Sequence, residues 1–125
     1  MGSVTSFLIL AHVLSPLSGV LVTMVDFEFV SFERLIEFGL NTDPTHQNNS
    51  YRSGIRPNHW VRENQYTIIG QIDFIDCDRL AAGQSCKAIC SFYAPREDEK
   101  LFTPGFKWDI GEATKIIGYG RVVSE

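Results

Sequence analysis

Ser85-Cys86-Lys87-Ala88-Ile89-Cys90-Ser91-Phe92-Tyr93-Ala94 is the stretch on which the fold turns. Cys86, Ala88, Cys90 and Phe92 recur at every second position, so they share one face of an extended strand. Just before it, Leu80-Ala81-Ala82-Gly83-Gln84 reads as a turn. Tyr66–Asp76 reads as a second strand, with Tyr66, Ile68, Ile69, Ile72, Phe74 and Ile75. Gly70 within that strand predicts a bulge or a close approach of another segment. Downstream, Pro95–Lys100 reads as a charged loop. Phe106–Ile110 and Lys115–Ser124 read as a closing hairpin around Gly111-Glu112-Ala113-Thr114. Five or six strands with tight turns and little helix predict an all-β chain, a small antiparallel barrel or sandwich.

Upstream, Val25–Phe32 alternates, with Val25, Phe27 and Phe29 on one face and Asp26, Glu28 and Val30 on the other. In Phe32–Leu40 the spacing of Phe32, Leu35, Ile36 and Leu40 predicts one or two helical turns, ended by Gly39. Asn41–Ser50 consists of turn-formers and amides and reads as a long loop. Before Asp26 there is no charged residue at all. The stretch lacks the basic start and cleavage site of an export signal, and His12, Pro16 and Gly19 interrupt it as a membrane helix. We therefore read residues 1–24 as an apolar extension ahead of a start at Met24, and residues 25–125 as one domain. That places the domain in the cytoplasm; export or membrane anchoring follows only if residues 1–24 are genuine.

The composition fits a folded domain: 125 residues, 44% hydrophobic and 21% charged. A net charge of −4 excludes a globally basic nucleic-acid binder. Three cysteines, an odd number, argue against a disulfide framework. Cys77, Cys86 and Cys90 lack paired metal-ligand spacing and His12, His46 and His59 are scattered, so no metal or cofactor is expected. Cys86 and Cys90 read as small core residues of a reduced protein, although a Cys–His nucleophile pair stays open. No phosphate-binding loop is present, and Gly118-Tyr119-Gly120 lies within a strand, so no nucleotide is expected. The chain reads as a non-enzyme.

Tyr51–Arg62 is the candidate contact surface. Arg52, Arg56 and Arg62 occur there without an acid, interleaved with Tyr51, His59 and Trp60. Guanidinium groups bind phosphate bidentately and aromatic rings stack on bases, so this ribbon suits RNA. Met24–Ser50, in contrast, carries five acids against one arginine. The competing reading buries Trp60 and pairs the arginines with neighbouring carboxylates.

At these residues the chain resembles the C-terminal β-barrel domain of elongation factor Tu. Ser53-Gly54-Ile55-Arg56-Pro57 looks like its Gly-Tyr-Arg-Pro motif. Ile72-Asp73-Phe74, Leu80–Ala88, Pro104–Glu112 and Ile116–Val123 follow in that domain's order, from Val25 to the end of the chain. The resemblance implies a six-stranded antiparallel barrel that, in the full factor, holds the T-stem of aminoacyl-tRNA and packs on the GTPase domain and the exchange factor. It also implies that Asn58, Glu112 and Ala113 occupy tRNA-facing positions. The family's Gly-Gly-Arg-His-Thr-Pro segment has no match in Gly39–Gln47, and Ala113 replaces its second hairpin glycine. No GTPase sequence accompanies the barrel here. The expectation is thus a free-standing, non-catalytic binding module contacting RNA or a translation-related protein through Arg52, Arg56, Asn58, His59, Trp60, Arg62, Glu112 and Ala113. The alternative is a protein–protein or inhibitor-type module without RNA binding, contacting its partner through Glu33, Glu37 and Asp43.

Overall fold

The structure, a computed structural model, describes residues 4–12, 22–42, 50–62 and 66–124, with side chains from residue 28 onward. The strands are β1 (Val4–His12), β2 (Val22–Leu40), β3 (Ser50–Arg52), β4 (Asn58–Arg62), β5 (Tyr66–Phe74), β6 (Arg79–Ala81), β7 (Ser85–Pro95), β8 (Lys107–Glu112) and β9 (Lys115–Val122). One helical turn, α1 (Arg96–Glu99), follows β7. Six strands close on themselves in the order β2-β7-β5-β4-β8-β9, because β9 pairs back onto β2 from Ile36↔Val122 to Leu40↔Gly118. Every pairing in this ring is antiparallel. A closed barrel has no open sheet edge, so its backbone polar groups are satisfied around the ring. No helix among the described residues is long and apolar enough to cross a membrane.

The central strand β2 corrects the helical expectation for Phe32–Leu40. Val30, Phe32, Ile36, Phe38 and Leu40 are all buried, which is a period of two with Arg34 as its one polar interruption. Arg34 turns its guanidinium out of the core: Nε donates to the Phe102 carbonyl at 3.0 Å and Nη1 to the Glu33 carbonyl at 2.8 Å. One edge of β2 pairs with β7 from Phe29 to Gly39, and its other edge takes β1 and then β9. Cross-strand pairing on both edges outweighs the local helical spacing. The barrel face at the start of the described side chains is that of Val30, with Phe29 half-buried and Glu28 exposed.

The strand reading of Ser85–Ala94 holds: Cys86, Ala88, Cys90 and Phe92 all face the core. Gly70 is a close approach with unbroken register. A Cβ there would lie 2.8 Å from Phe92 Cδ1 and 2.9 Å from His59 Nε2. Leu80, expected in a turn, is instead buried in β6, which pairs with β3. The turn itself is confined to Ala82 and Gly83, where Gly83 has a φ of 82°. Gly111 and Glu112 likewise belong to β8, and the hairpin turns at Ala113 and Thr114. Pro95–Lys100 is largely helical, not a loop, with Glu97, Asp98 and Glu99 in its first turn, where carboxylates favour the positive end of the peptide dipoles. After α1 the chain seats Phe102 against Phe92, Phe106 and Trp108, closing one end of the core with aromatic rings. The expected loop Asn41–Ser50 lies mostly outside the described residues.

A candidate binding surface

Strand β4 carries half of the expected contact residues, and the barrel sends them to different places. His59 points inward and is fully buried, which corrects its placement on a contact surface. Trp108 Nε1–H donates to His59 Nδ1 at 2.9 Å, so the ring proton sits on Nε2 and is donated to the Gly70 carbonyl at 2.9 Å. Burial pushes the imidazole down to about 4. Cys90 Sγ lies 3.9 Å from Nε2, but both groups are sealed in the core, and burial holds the thiol well above its usual range. With the Nε2 proton given to Gly70, this pair is a packed core contact and lacks the arrangement of a thiolate nucleophile.

Arg62 and Trp60 are also drawn into the fold. Arg62 Nε donates to Asp98 Oδ1 at 2.6 Å, and Asp98 is fully buried. Tyr66 OH donates to the same carboxylate at 2.7 and 2.9 Å, and burial followed by that hydrogen bond pushes the phenol up to about 12. The guanidinium therefore ties β4 to α1, as the competing sequence reading held for the arginines. Trp60 is half-buried, and its indole N–H has no partner among the described residues.

The remaining residues lie at three separate places on the surface. Asn58 Nδ2 donates to the Ala113 carbonyl at 3.2 Å, which joins the start of β4 to the β8–β9 turn. Glu112 accepts a hydrogen bond from Tyr51 beside them and, after burial, helps raise that phenol. Arg52 is exposed on β3 directly opposite Arg79 of β6. Arg56 turns elsewhere: its Nε donates to Gln71 Oε1 at 2.9 Å, and Gln71 in turn donates to Asp73 at 3.1 Å.

Arg56 lines an open groove of about 800 Å³ across the outer faces of β5, β7 and β2. Its floor includes Ile69, 62% exposed, and Tyr93, its cross-strand partner on β7. Arg56 and Gln71 stand on the β5 side, and Glu33 on the β2 side accepts Ser91 Oγ–H at 3.2 Å. Glu99 also lines the groove, with Arg34 at 3.8 Å. Ile69 and Tyr93 were not singled out by sequence. Their signal is the apolar doublets Ile68-Ile69 and Phe92-Tyr93, of which a strand can bury only one member. Of the other acids assigned to a protein partner, Glu37 accepts Arg121 Nη2 and Tyr119 OH, both at 3.1 Å, and Asp43 lies outside the described residues.

Cys86 and Cys90 are core residues and free thiols, as expected from sequence, but Cys77 meets Cys86 in a way the spacing did not suggest. The bend that follows β5 brings Cys77 to Cys86 of β7, and the ligand atoms of Asp76, Cys77 and Cys86 lie within 4.8 Å of one another. Burial, then a hydrogen bond with Cys77, push the Cys86 thiol up to about 12.

Fold and surface together define a small closed antiparallel barrel with an open groove on its outer wall, in which Ile69 and Tyr93 lie among polar and charged side chains. Compared with known proteins, the sequence matches no family model and no curated relative.

Proposed function

We propose that this barrel is a non-catalytic binding module whose groove across β5, β7 and β2 takes a protein segment. The observation that carries the reading is Ile69, an exposed aliphatic side chain beside Tyr93, flanked by a cation at Arg56 and carboxylates at Glu33 and Glu99. An apolar floor with both charge signs at its rim suits a polypeptide carrying side chains of mixed character. It suits a polyanion poorly, because Glu33 and Glu99 would face phosphates. The burial of His59 and the pairing of Arg62 with Asp98 also remove two of the groups that favoured RNA.

Capture from lysate with the full chain, with and without ribonuclease, tests this. A captured protein that survives ribonuclease and is lost with Ile69→Asp supports the reading; capture that ribonuclease abolishes overturns it.

A second reading, RNA binding, is favoured by the exposed Arg52–Arg79 pair and by the grouping of Asn58 with Ala113. The resemblance to the elongation factor Tu barrel supports it as well. It requires a tRNA complex at low salt that weakens steeply as salt rises. Arg52→Glu would abolish such a complex, and Ile69→Asp would leave it unchanged.

A further inference from the structure

We propose that Asp76, Cys77 and Cys86 form a three-ligand site for a thiophilic divalent cation, zinc above all, with a fourth position open to water or another small donor. Their carboxylate oxygen and two sulfurs lie within 4.8 Å of one another. Around tetrahedral zinc, with Zn–S about 2.3 Å and Zn–O about 2.0 Å, neighbouring ligand atoms stand about 3.5–3.8 Å apart. Small side-chain rotations therefore suffice to close the site.

The backbone under these ligands is tied down on both sides. Cys86 sits near the start of β7, paired with Phe38 of β2. The bend bearing Asp76 and Cys77 is held to β7 by Ile75 N–H donating to the Lys87 carbonyl at 3.0 Å. It is held to β3 by Ser53 N–H donating to the Asp78 carbonyl at 3.0 Å. All three cysteines are free, so both sulfurs are available as ligands.

The ligands line a cavity of about 460 Å³ that Arg79 also lines, its Nη1 fixed on Ser50 Oγ at 2.8 Å. Two thiolates and a carboxylate around a divalent ion leave one net negative charge, which the Arg79 guanidinium offsets. Thiolate ligands select zinc-like ions over magnesium and calcium, which prefer all-oxygen shells.

The test uses the full chain, reduced and chelator-treated, titrated with Co(II) and then Zn(II). One Co(II) per chain with sulfur-to-cobalt charge-transfer absorption, displaced by Zn(II), is expected. Cys86 is buried, so the exposed-side ligands carry the test. Cys77→Ser should diminish the band, and Asp76→Asn should keep it while weakening affinity, because the band arises from sulfur and the lost carboxylate is a ligand. Absence of the band, or a band that Cys77→Ser leaves unchanged, overturns the proposal. So does a reduced chain that takes up no cobalt yet oxidises to a Cys77–Cys86 disulfide.

Discussion

His59 is kept neutral by the same contacts that make it part of the core: it accepts from Trp108, donates to Gly70 and is shut away from water. Its value in the fold, about 4, lies below the 6.5 of an exposed imidazole. The unfolded chain therefore binds the proton first. Stability is full above pH 6.5, declines as pH falls from 6.5 to about 4, and below that is lower by about 3 kcal/mol from this group. Urea unfolding at pH 7, 5.5 and 4 measures the decline, which a variant lacking the imidazole should not show over this window. Ala113 is the other residue with a local consequence. Its φ of 50° is left-handed backbone, which disfavours any side chain with a Cβ. Ala113→Gly should raise the unfolding free energy by about 0.5–1 kcal/mol, seen as a higher denaturant midpoint at unchanged slope. Neither effect was visible in sequence as such. An isolated histidine among rings reads equally well as a surface contact or a core group, and only the approach of Trp108 and Gly70 decides.

At the level of elements, Arg62 and Gly70 show how strands from distant parts of the chain are locked together. Arg62 of β4 reaches Asp98 of α1, whose carboxylate has no exposure of its own. Among the described residues, Arg62→Ala leaves that buried charge with Tyr66 as its side-chain hydrogen-bond partner and should destabilise the fold by about 2 kcal/mol, read in thermal or urea unfolding. A surface arginine used only for binding would leave stability nearly unchanged, so this variant separates the two roles. Gly70→Ala places a methyl among Phe92, His59 and Cys90 and should cost about 1–3 kcal/mol through overpacking. The strand of Gly70 was legible because Ile68 and Ile72 alternate around it. The strand Phe32–Leu40 was not: Arg34 breaks the alternation on the inner face, and Leu35 beside Ile36 mimics a helical stripe. Which reading prevails depends on β7 and β9, whose sequences lie far away.

For the whole molecule, closure of the ring is the governing feature. β1 lies outside it, on the edge of β2 beyond the segment that β9 covers. A chain starting at Met24 retains every ring pairing and should unfold in one cooperative transition; loss of that transition would show that β1 is required. Binding belongs to this scale too, since Arg56, Ile69, Tyr93 and Glu33 come from separate segments and meet only on the curved wall.

By itself the sequence determined the all-β class, the core face of Ser85–Ala94, the hairpin near Ala113 and the segregation of charge, because period-two burial and turn chemistry are local properties. Only the tertiary structure decided that the ring closes through β2 and β9. It also decided that His59 is core, that Arg62 is structural, and that Cys77 meets Cys86. Each of those depends on which distant backbone arrives within a few ångströms, a distance that residue spacing along the chain does not encode.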